Sequence, residues 1–193
     1  VVWNRTRMST VIETIDIENV VASTGIGQEL DLESLAEDLS ATDYNPDHFP
    51  GLVYRLQQPE AAALIFRSGK IVCTGAESIN DVTTALNHVF DELRELGILV
   101  AEVPDIEIQN IVSSADLGHR LNLHAIAIGL GLEHTEYEPE QFPGLVYRLD
   151  EPDVVALLFG SGKLVITGGR KHEDAEQALE VIQTKLIDLD LFE

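Results

Sequence analysis

A segment of 27 residues that occurs twice limits the architecture of this chain more than any other feature. The first copy, FPGLVYRLQQPEAAALIFRSGKIVCTG, covers residues 49–75, and the second, FPGLVYRLDEPDVVALLFGSGKLVITG, covers residues 142–168. The copies agree at 18 of 27 positions and lie 93 residues apart, whereas an upstream I-x-N-x-V-x-S motif recurs after 91 residues. Two copies at this spacing predict a pseudo-dimer of similar halves rather than a solenoid.

The repeat divides the sequence into three predicted segments: a flexible leader over residues 1–14, a first repeat over 15–103 and a second repeat over 104–193. Met8 is the only methionine, so we expect the natural start there, after seven additional residues. No apolar run approaches the roughly 20 residues that span a bilayer. The single cysteine, Cys73, cannot form an internal disulfide. With no signal-peptide pattern, this composition favours a cytoplasmic protein.

The charge is strongly negative, with 34 acidic against 12 basic residues and a net charge of −22. Acid spread along the whole chain predicts adaptation to molar salt; an ordinary acidic protein or a cation binder is the alternative. The stretches 61–76 and 154–172, at matching places in the two repeats, contain basic residues but no carboxylate. These stretches therefore predict a surface that meets an anionic or apolar partner.

Hydrophobic periodicity predicts the order strand, helix, three strands, helix in each repeat, and hence an α+β fold with an antiparallel sheet. The predicted strands are 15–24, 52–56, 61–66, 71–74, 106–115, 145–149, 154–159 and 164–167. The predicted helices follow Asp31 and Ser78 in the first repeat and cover about 122–130 and 173–189 in the second. The strands are apolar on both faces, so the face away from the helices either closes against the other repeat as a sandwich or binds a partner.

Several motifs together resemble the TATA-box-binding protein family in its archaeal form. They are I-x-N-[VI]-V, the two F-P-G-L-V-Y-R-L blocks, A-L-[IL]-F-x-S-G-K and Y-E-P-E-x-F-P-G, and they run in order over about residues 15–187 of the chain. The acidity is similar to that of members from halophilic archaea. The resemblance implies a tandem pseudo-twofold repeat whose single curved antiparallel sheet forms a saddle, with helices on the convex face.

The family resemblance also implies a function, that of a general transcription initiation factor. Such a factor binds the TATA box through the minor groove and bends it by roughly 80°, as is known for this family. It recruits transcription factor B and, indirectly, RNA polymerase. The residues that match DNA-intercalating wedges are Phe49, Phe66, Phe142 and Phe159. The residues that match minor-groove contacts are Asn19, Val21, Leu64, Val72, Thr74, Asn110, Val112, Leu157, Val165 and Thr167.

Charged positions of the family map onto this chain as well. Two glutamates, Glu138 and Glu140, match the site for transcription factor B. The residues that match phosphate contacts are Arg55, Lys70, Arg148 and Lys163. Each assignment has a structural alternative: core packing for the phenylalanines, backbone hydrogen bonds for the asparagines, and solvated surface positions for the charged residues. Because Phe49 and Phe142 stand beside Pro-Gly in loop-like contexts, the wedge role is favoured for them.

Other functional classes fit the sequence less well. The segment Gly160-Ser161-Gly162-Lys163 lacks the strand-to-helix context of a phosphate-binding loop, and the six histidines show no metal-ligand spacing. We therefore expect no enzyme, no cofactor and no metal. The alternative function is a protein-interaction module that keeps the saddle but does not bind DNA. A weak homodimer of the free protein is left open.

Overall fold

The computed structural model describes residues 15–191, and the predicted leader 1–14 lies outside these residues. The first repeat contains β1 (Asp16–Gly25), α1 (Leu32–Asp38), β2 (Thr42–Asp43), β3 (Leu52–Gln57), β4 (Glu60–Ile65), β5 (Lys70–Ala76) and α2 (Ile79–Glu95). The second contains β6 (Glu107–Asp116), α3 (Leu123–Leu130), β7 (Thr135–Glu136), β8 (Leu145–Leu149), β9 (Val154–Leu158), β10 (Lys163–Gly169) and α4 (His172–Asp188). Among the described helices, none is both long and apolar enough to cross a membrane.

The strand order is β2-β3-β4-β5-β1-β6-β10-β9-β8-β7, within one ten-stranded sheet. The predicted α+β class and single antiparallel sheet are confirmed, and the two-sheet sandwich is excluded. Contacts divide the described residues into two compact units: one is Asn19–Asn110, and the other joins residues 15–18 with residues 111–191. The strands β2 and β7 escaped prediction, because a two-residue strand has no alternation to recognise.

In the first repeat, the long helix α2 packs on β4 and β5. Strand residues that alternate along the chain, such as Ala63, Ile65 and Cys73, are completely buried beneath it. The middle of the apolar stripe of α2 is buried, whereas Ile79 and Leu96 at its ends are 41% and 39% exposed.

Both ends of α2 are fixed by local hydrogen bonds at residue types that indicate helix ends in the sequence. The hydroxyl of Ser78 accepts a hydrogen bond from the backbone N–H of Asp81 at 3.0 Å, which caps the first turn. At the other end, Gly97 has φ of 83°, and the next residue, Ile98, donates its N–H to Leu93 O at 3.0 Å. This is the Schellman arrangement, which requires a left-handed residue and therefore favours glycine.

The second repeat has its own core under α4, which packs on β9 and β10. The apolar stripe of α4 is buried: Ala175, Ala178, Leu179, Ile182 and Leu186 are at most 5% exposed. In each repeat, then, one face of the sheet is covered by a helix. The other face carries the residues that the sequence assigned to DNA.

Candidate nucleic-acid interface

The face of the first repeat that the helices do not cover contains a row of apolar side chains. Val53 pairs with Leu64 and Leu64 with Val72, and Val72 pairs with Ser23 on β1. The three apolar members are half-buried, whereas the residues next to them in the chain, such as Leu52, are fully buried in the core. We call these four residues, together with Val21, the first outer row.

The second repeat builds the same row from equivalent positions. Val146 pairs with Leu157, Leu157 with Val165, and Val165 with Ser114 on β6. We call these four residues, together with Val112, the second outer row; its apolar members are half-buried like those of the first. The described helices pack on the strands whose alternate residues are fully buried, and the residues of these rows are the half-buried ones, so both repeats present an apolar strip with the shape of a β-sheet surface.

A pair of phenylalanine rings stands at one end of each outer row. Phe66 and Phe159 directly follow β4 and β9, and their backbone N–H groups close the hairpin turns onto Lys70 O and Lys163 O at 2.9 Å. Phe49 and Phe142 come from loops and are 37% exposed. In each pair, Phe49–Phe66 and Phe142–Phe159, the ring centroids lie 5.9 Å apart in an edge-to-face arrangement. The core-packing alternative is therefore wrong for the loop phenylalanines.

Asn19, on β1, is held in one orientation by β5. The backbone N–H of Gly75 donates to Asn19 Oδ1 at 2.7 Å, and Asn19 Nδ2 donates to Thr74 Oγ1 at 3.2 Å. Since a backbone N–H is always a donor, the atom that it contacts must be the amide oxygen. The backbone hydrogen bond considered as an alternative role is thus present at the amide oxygen, and the NH₂ group keeps one hydrogen to donate beyond its bond to Thr74.

Basic residues lie at the edges of the same face. Across the first repeat, Arg55 pairs with Ala62 and Ala62 with Thr74; across the second, Arg148 pairs with Val155 and Val155 with Thr167. Each arginine is therefore at the outer end of a further line of paired residues, next to the outer row. Lys70 and Lys163 begin β5 and β10 and are exposed.

The two arginines differ in their neighbours. Arg148 Nη2 lies 3.1 Å from Glu136 Oε1 of β7, in a pair whose two side chains are 58% and 66% exposed. The position equivalent to Glu136 in the first repeat is Asp43, and within residues 15–191 no ion pair with Arg55 is formed. A phosphate bound at Arg148 would therefore compete with a carboxylate of the protein itself.

Acidic residues near the face include one that the sequence pattern misplaced. Alternation along β1 puts Glu18 on the helix side with Val20, yet Glu18 Oε1 accepts a hydrogen bond from the hydroxyl of Ser114 in the second outer row. Near the start of β1, a long flexible side chain is not confined to one face by packing. The stretches 61–76 and 154–172 thus contribute no carboxylate to the outer face, but β1 contributes that of Glu18.

The glutamates assigned to a protein partner lie in the loop before Phe142. Glu138 and Glu140 are exposed, and Glu138 O accepts the N–H of Phe142 at 3.0 Å. The Glu138 carboxylate accepts a hydrogen bond from Gln141 Nε2. The first repeat has Asn45 and His48 at the equivalent places, with Asn45 Nδ2 3.3 Å from His48 Nδ1. The two loops therefore share a backbone turn but present different charges.

Sequence reasoning missed two apolar members of the outer rows, Val53 and Val146. Their signal was present: in L-V-Y-R-L, the leucines and the tyrosine face the core, so the valine must share the outer face with Arg55 or Arg148. Glu136 was missed because it is twelve residues from Arg148 in the chain, and only the pairing of β7 with β8 brings the two together.

Two further observations concern the thiol and the possible metal ligands within residues 15–191. Burial raises the pKa of the Cys73 thiol to about 11, so the side chain stays a neutral member of the core. No group of three or more His, Cys, Asp or Glu side chains within residues 15–191 is arranged to hold a metal ion.

Comparison with known proteins identifies the family. The family model described as "Transcription factor TFIID (or TATA-binding protein, TBP)" matches residues 14–96 and 105–189. The chain belongs to the TATA-binding protein family. This membership confirms the resemblance seen in the sequence, and it places the chain among transcription factors rather than enzymes.

Highly similar relatives come from halophilic archaea, as the acidity predicted. The chain is 72% identical over 181 residues to the TATA-box-binding protein of Haloarcula marismortui, covering 94% of this chain and 97% of that protein. It is 70% identical over 184 residues to TATA-box-binding protein 2 of Haloferax volcanii, with coverages of 95% and 99%. The solved structure of Methanococcus jannaschii TBP matches with a TM-score of 0.82 and 54% identity, over 91% of this chain and 99% of that chain.

Proposed function

We propose that this protein is a general transcription initiation factor that binds the A·T-rich DNA of a TATA box with both outer rows in the minor groove. It bends the duplex and recruits transcription factor B and, through it, RNA polymerase to chromosomal promoters in the cytoplasm. The observation that carries the proposal is the occurrence, in both repeats, of an aromatic pair with an exposed loop ring at the end of a half-buried apolar row.

The aromatic pairs supply wedges for the ends of the site. Unstacking a base step costs a few kcal/mol, and burying a phenylalanine side chain returns roughly 1.5–3 kcal/mol. The free energy gained by burying the wedges is therefore close to the free energy spent on unstacking. The net gain comes from the rest of each outer row, since bending opens the groove and lets the valines and Leu64 or Leu157 contact the sugars.

Preference for A·T pairs follows from the groups that face outward. The minor groove of an A·T pair offers only acceptors, whereas a G·C pair adds the guanine amino group. The fixed NH₂ group of Asn19 is a donor suited to those acceptors, and we assign the same role to Asn110. The apolar side chains beside them have no acceptor for a guanine amino group, so a G·C pair would leave that donor unsatisfied.

Charge makes a smaller contribution than in most DNA-binding proteins. We assign only four basic residues, Arg55, Lys70, Arg148 and Lys163, to phosphates in a chain of net charge −22, and Glu136 competes for one of them, Arg148. In molar salt the Debye length is about 3 Å, so the repulsion between distant carboxylates and phosphates is screened. Hydrophobic burial is then the main driving force, and salt strengthens it.

The partner surface lies on the second repeat. Glu138 and Glu140 project from the loop before Phe142, whereas the first repeat has Asn45 and Asp47 at the equivalent positions. We assign the two glutamates to transcription factor B, because a partner that recognises this loop binds one end of the complex only. That inequality of ends gives the assembly a direction on the promoter.

The test is a bending and binding assay on a duplex labelled for fluorescence energy transfer, with a TATA box, in 2 M KCl. The variant Phe66→Ala/Phe159→Ala removes one ring from each pair and is expected to abolish bending. The matched control, Leu99→Ala/Val103→Ala, removes side chains that are 82% and 88% exposed elsewhere, and should bend DNA like the wild type. A double-phenylalanine variant that bends normally, or a wild type that captures transcription factor B but never binds DNA, contradicts the proposal.

A further inference from the structure

Two glycines stand under the aromatic pairs, at equivalent places just before β3 and β8. A Cβ atom added to Gly51 would lie 2.7 Å from Phe49 Cε1 and 3.0 Å from Phe66 Cε1. A Cβ atom on Gly144 would lie 2.7 Å from Phe142 Cε1 and 3.0 Å from Phe159 Cε1. In both repeats the two ring edges thus occupy the space that a side chain on the glycine would need.

The backbone does not explain these glycines. Eight other glycines, Gly69 and Gly162 among them, have positive φ angles that disfavour L-residues, but Gly51 and Gly144 do not. Both are buried, and the nearest atoms to the added Cβ belong to the rings rather than to the main chain. An alanine at either place is therefore compatible with the backbone, and what it would displace is the tip of a phenylalanine.

We propose that Gly51 and Gly144 are positioning residues that set the edge-to-face geometry of the aromatic pairs; this inference rests on the proposed DNA-binding function. Without a side chain at these places, both rings of a pair can sit against the main chain at a centroid distance of 5.9 Å. A Cβ would push the loop ring outward by about 0.7 Å to restore an ordinary contact of 3.4 Å. The loop rings are 37% exposed, so they can give way without disrupting the core.

A displaced ring has a functional consequence because a wedge must enter the narrow gap of one unstacked base step. Moving Phe49 relative to Phe66 changes the outline of the pair at the surface that meets the step, while the outer row stays in place. We expect Gly51→Ala and Gly144→Ala to lower affinity for the TATA duplex about tenfold each and to reduce the bend. The change to alanine by itself favours the folded state slightly, because it restricts the unfolded chain.

The chain offers two matched controls. A Cβ on Gly25 would meet nothing within 4 Å, and a Cβ on Gly160, next to Phe159, would be 3.7 Å from Leu121 O. The equivalent positions in the other repeat carry Asp116 and Arg67, so both backbones accept an L-residue. Gly25→Ala and Gly160→Ala should leave affinity and bending within twofold of the wild type.

The experiment is a double-substitution cycle in the full chain, read by DNA bending, affinity in 2 M KCl and melting temperature. If Gly51 acts through Phe49, then Gly51→Ala loses its effect, to within twofold, in a Phe49→Leu background, because the shorter side chain no longer meets the added Cβ. If Gly51→Ala destabilises the fold instead, Phe49→Leu should restore the melting temperature lost.

The outcomes separate this inference from the function on which it rests. A tenfold loss that disappears in the Phe49→Leu background supports the positioning role. The positioning role is overturned if Gly51→Ala binds and bends DNA as well as the wild type. It is also overturned if the loss of affinity persists unchanged in the Phe49→Leu background. Both results leave the proposed function standing. A wild-type protein that does not bend the TATA duplex overturns both.

Discussion

The backbone N–H of Gly75 donates a 2.7 Å hydrogen bond to Asn19 Oδ1, and this contact identifies the amide oxygen and leaves the NH₂ group as the donor. Asn19→Asp keeps an acceptor for Gly75 but replaces the NH₂ donor by a carboxylate oxygen. Because the minor groove of A·T pairs presents acceptors, the substitution replaces a hydrogen-bond donor by a negatively charged oxygen that those acceptors repel. We expect a loss of affinity of about 5- to 100-fold, which corresponds to roughly 1–3 kcal/mol.

The measurement is fluorescence anisotropy on an A·T-rich duplex in 2 M KCl. Asn80→Asp is the matched control, since it makes the same chemical change on an exposed residue in the first turn of α2. Equal affinity of Asn19→Asp and wild type would show that the amide does not donate to DNA.

The ion pair between Arg148 and Glu136 leads to a prediction about salt. Glu136→Gln removes the competing carboxylate, so Arg148 becomes available to a phosphate. We expect affinity in 0.3 M KCl to rise about two- to fivefold, with the gain shrinking toward 2 M KCl as screening increases. Loss of an exposed ion pair should change stability by less than about 1 kcal/mol.

Asp91→Asn provides the control for this prediction, since it breaks another exposed pair, between Arg94 Nη1 and Asp91 Oδ1 at 2.8 Å on α2. Its affinity for DNA should not change at low salt beyond what the loss of one negative charge produces at a distance. If both variants gain equally, the gain reflects net charge, and Glu136 has no specific role.

The buried thiol of Cys73 makes stability depend on pH. Burial raises its pKa from 9.0 to about 11, so above pH 9 the unfolded chain releases a proton that the folded protein keeps. The contribution to stability is complete below pH 9 and is lost as pH rises to about 11. The expected loss is about 2–3 kcal/mol, since one pKa unit corresponds to about 1.4 kcal/mol.

Urea unfolding midpoints between pH 8 and pH 10.5 test this dependence, in wild type and Cys73→Ala. The variant should have a shallower decline over this range. A smaller slope should remain near pH 10, because burial and the charge of Glu92 raise the pKa of Tyr54. Identical slopes for the two proteins would contradict the assignment to Cys73.

The C-terminal end of α4 can be stabilised by a substitution that the first repeat suggests. Asp190 has φ of 54°, and the following N–H, of Leu191, bonds to Leu186 O at 2.9 Å, as Ile98 bonds to Leu93 O after Gly97. Asp190 therefore occupies the left-handed position that glycine fills in the other repeat. Asp190→Gly should raise stability by roughly 0.5–1 kcal/mol, since glycine has no Cβ to strain.

Thermal melting in 2 M KCl measures the effect, and two further variants separate its causes. Asp190→Asn removes the unfavourable negative charge at a helix C-terminus but keeps the side chain, so in high salt it should gain less than Asp190→Gly. Gly97→Asp, the reverse exchange in the first repeat, should lower stability by a similar amount. A stabilising Gly97→Asp would contradict the backbone argument.

Much of this fold was predictable because the same sequence pattern occurs in both repeats. Alternation in L-V-Y-R-L and the cap at Ser78 are local signals, and local signals give strands and helix ends directly. What could not be predicted depends on pairing across the sheet. The two-residue strand that carries Glu136 has no pattern of its own, and the reach of Glu18 to Ser114 follows from a flexible side chain that alternation cannot place.

The same distinction holds for the candidate site. The phenylalanines and asparagines could be assigned from their motifs, and the structure adds how they are held. That Asn19 donates through its NH₂ group follows from Gly75 on another strand, and that Gly51 lies under two rings follows from the packing of a loop against a hairpin. Such contacts bring together residues distant in sequence, which spacing and composition do not specify.

The central claim is that apolar burial, rather than charge, drives the binding of DNA by this chain of net charge −22. The most direct test is the affinity of the wild-type protein for a TATA duplex measured across 0.5–3 M KCl. We expect an affinity that holds or rises with salt, because screening removes repulsion and salt strengthens hydrophobic contact. An affinity that falls steeply over this range, as for a protein held by many phosphate contacts, would contradict it.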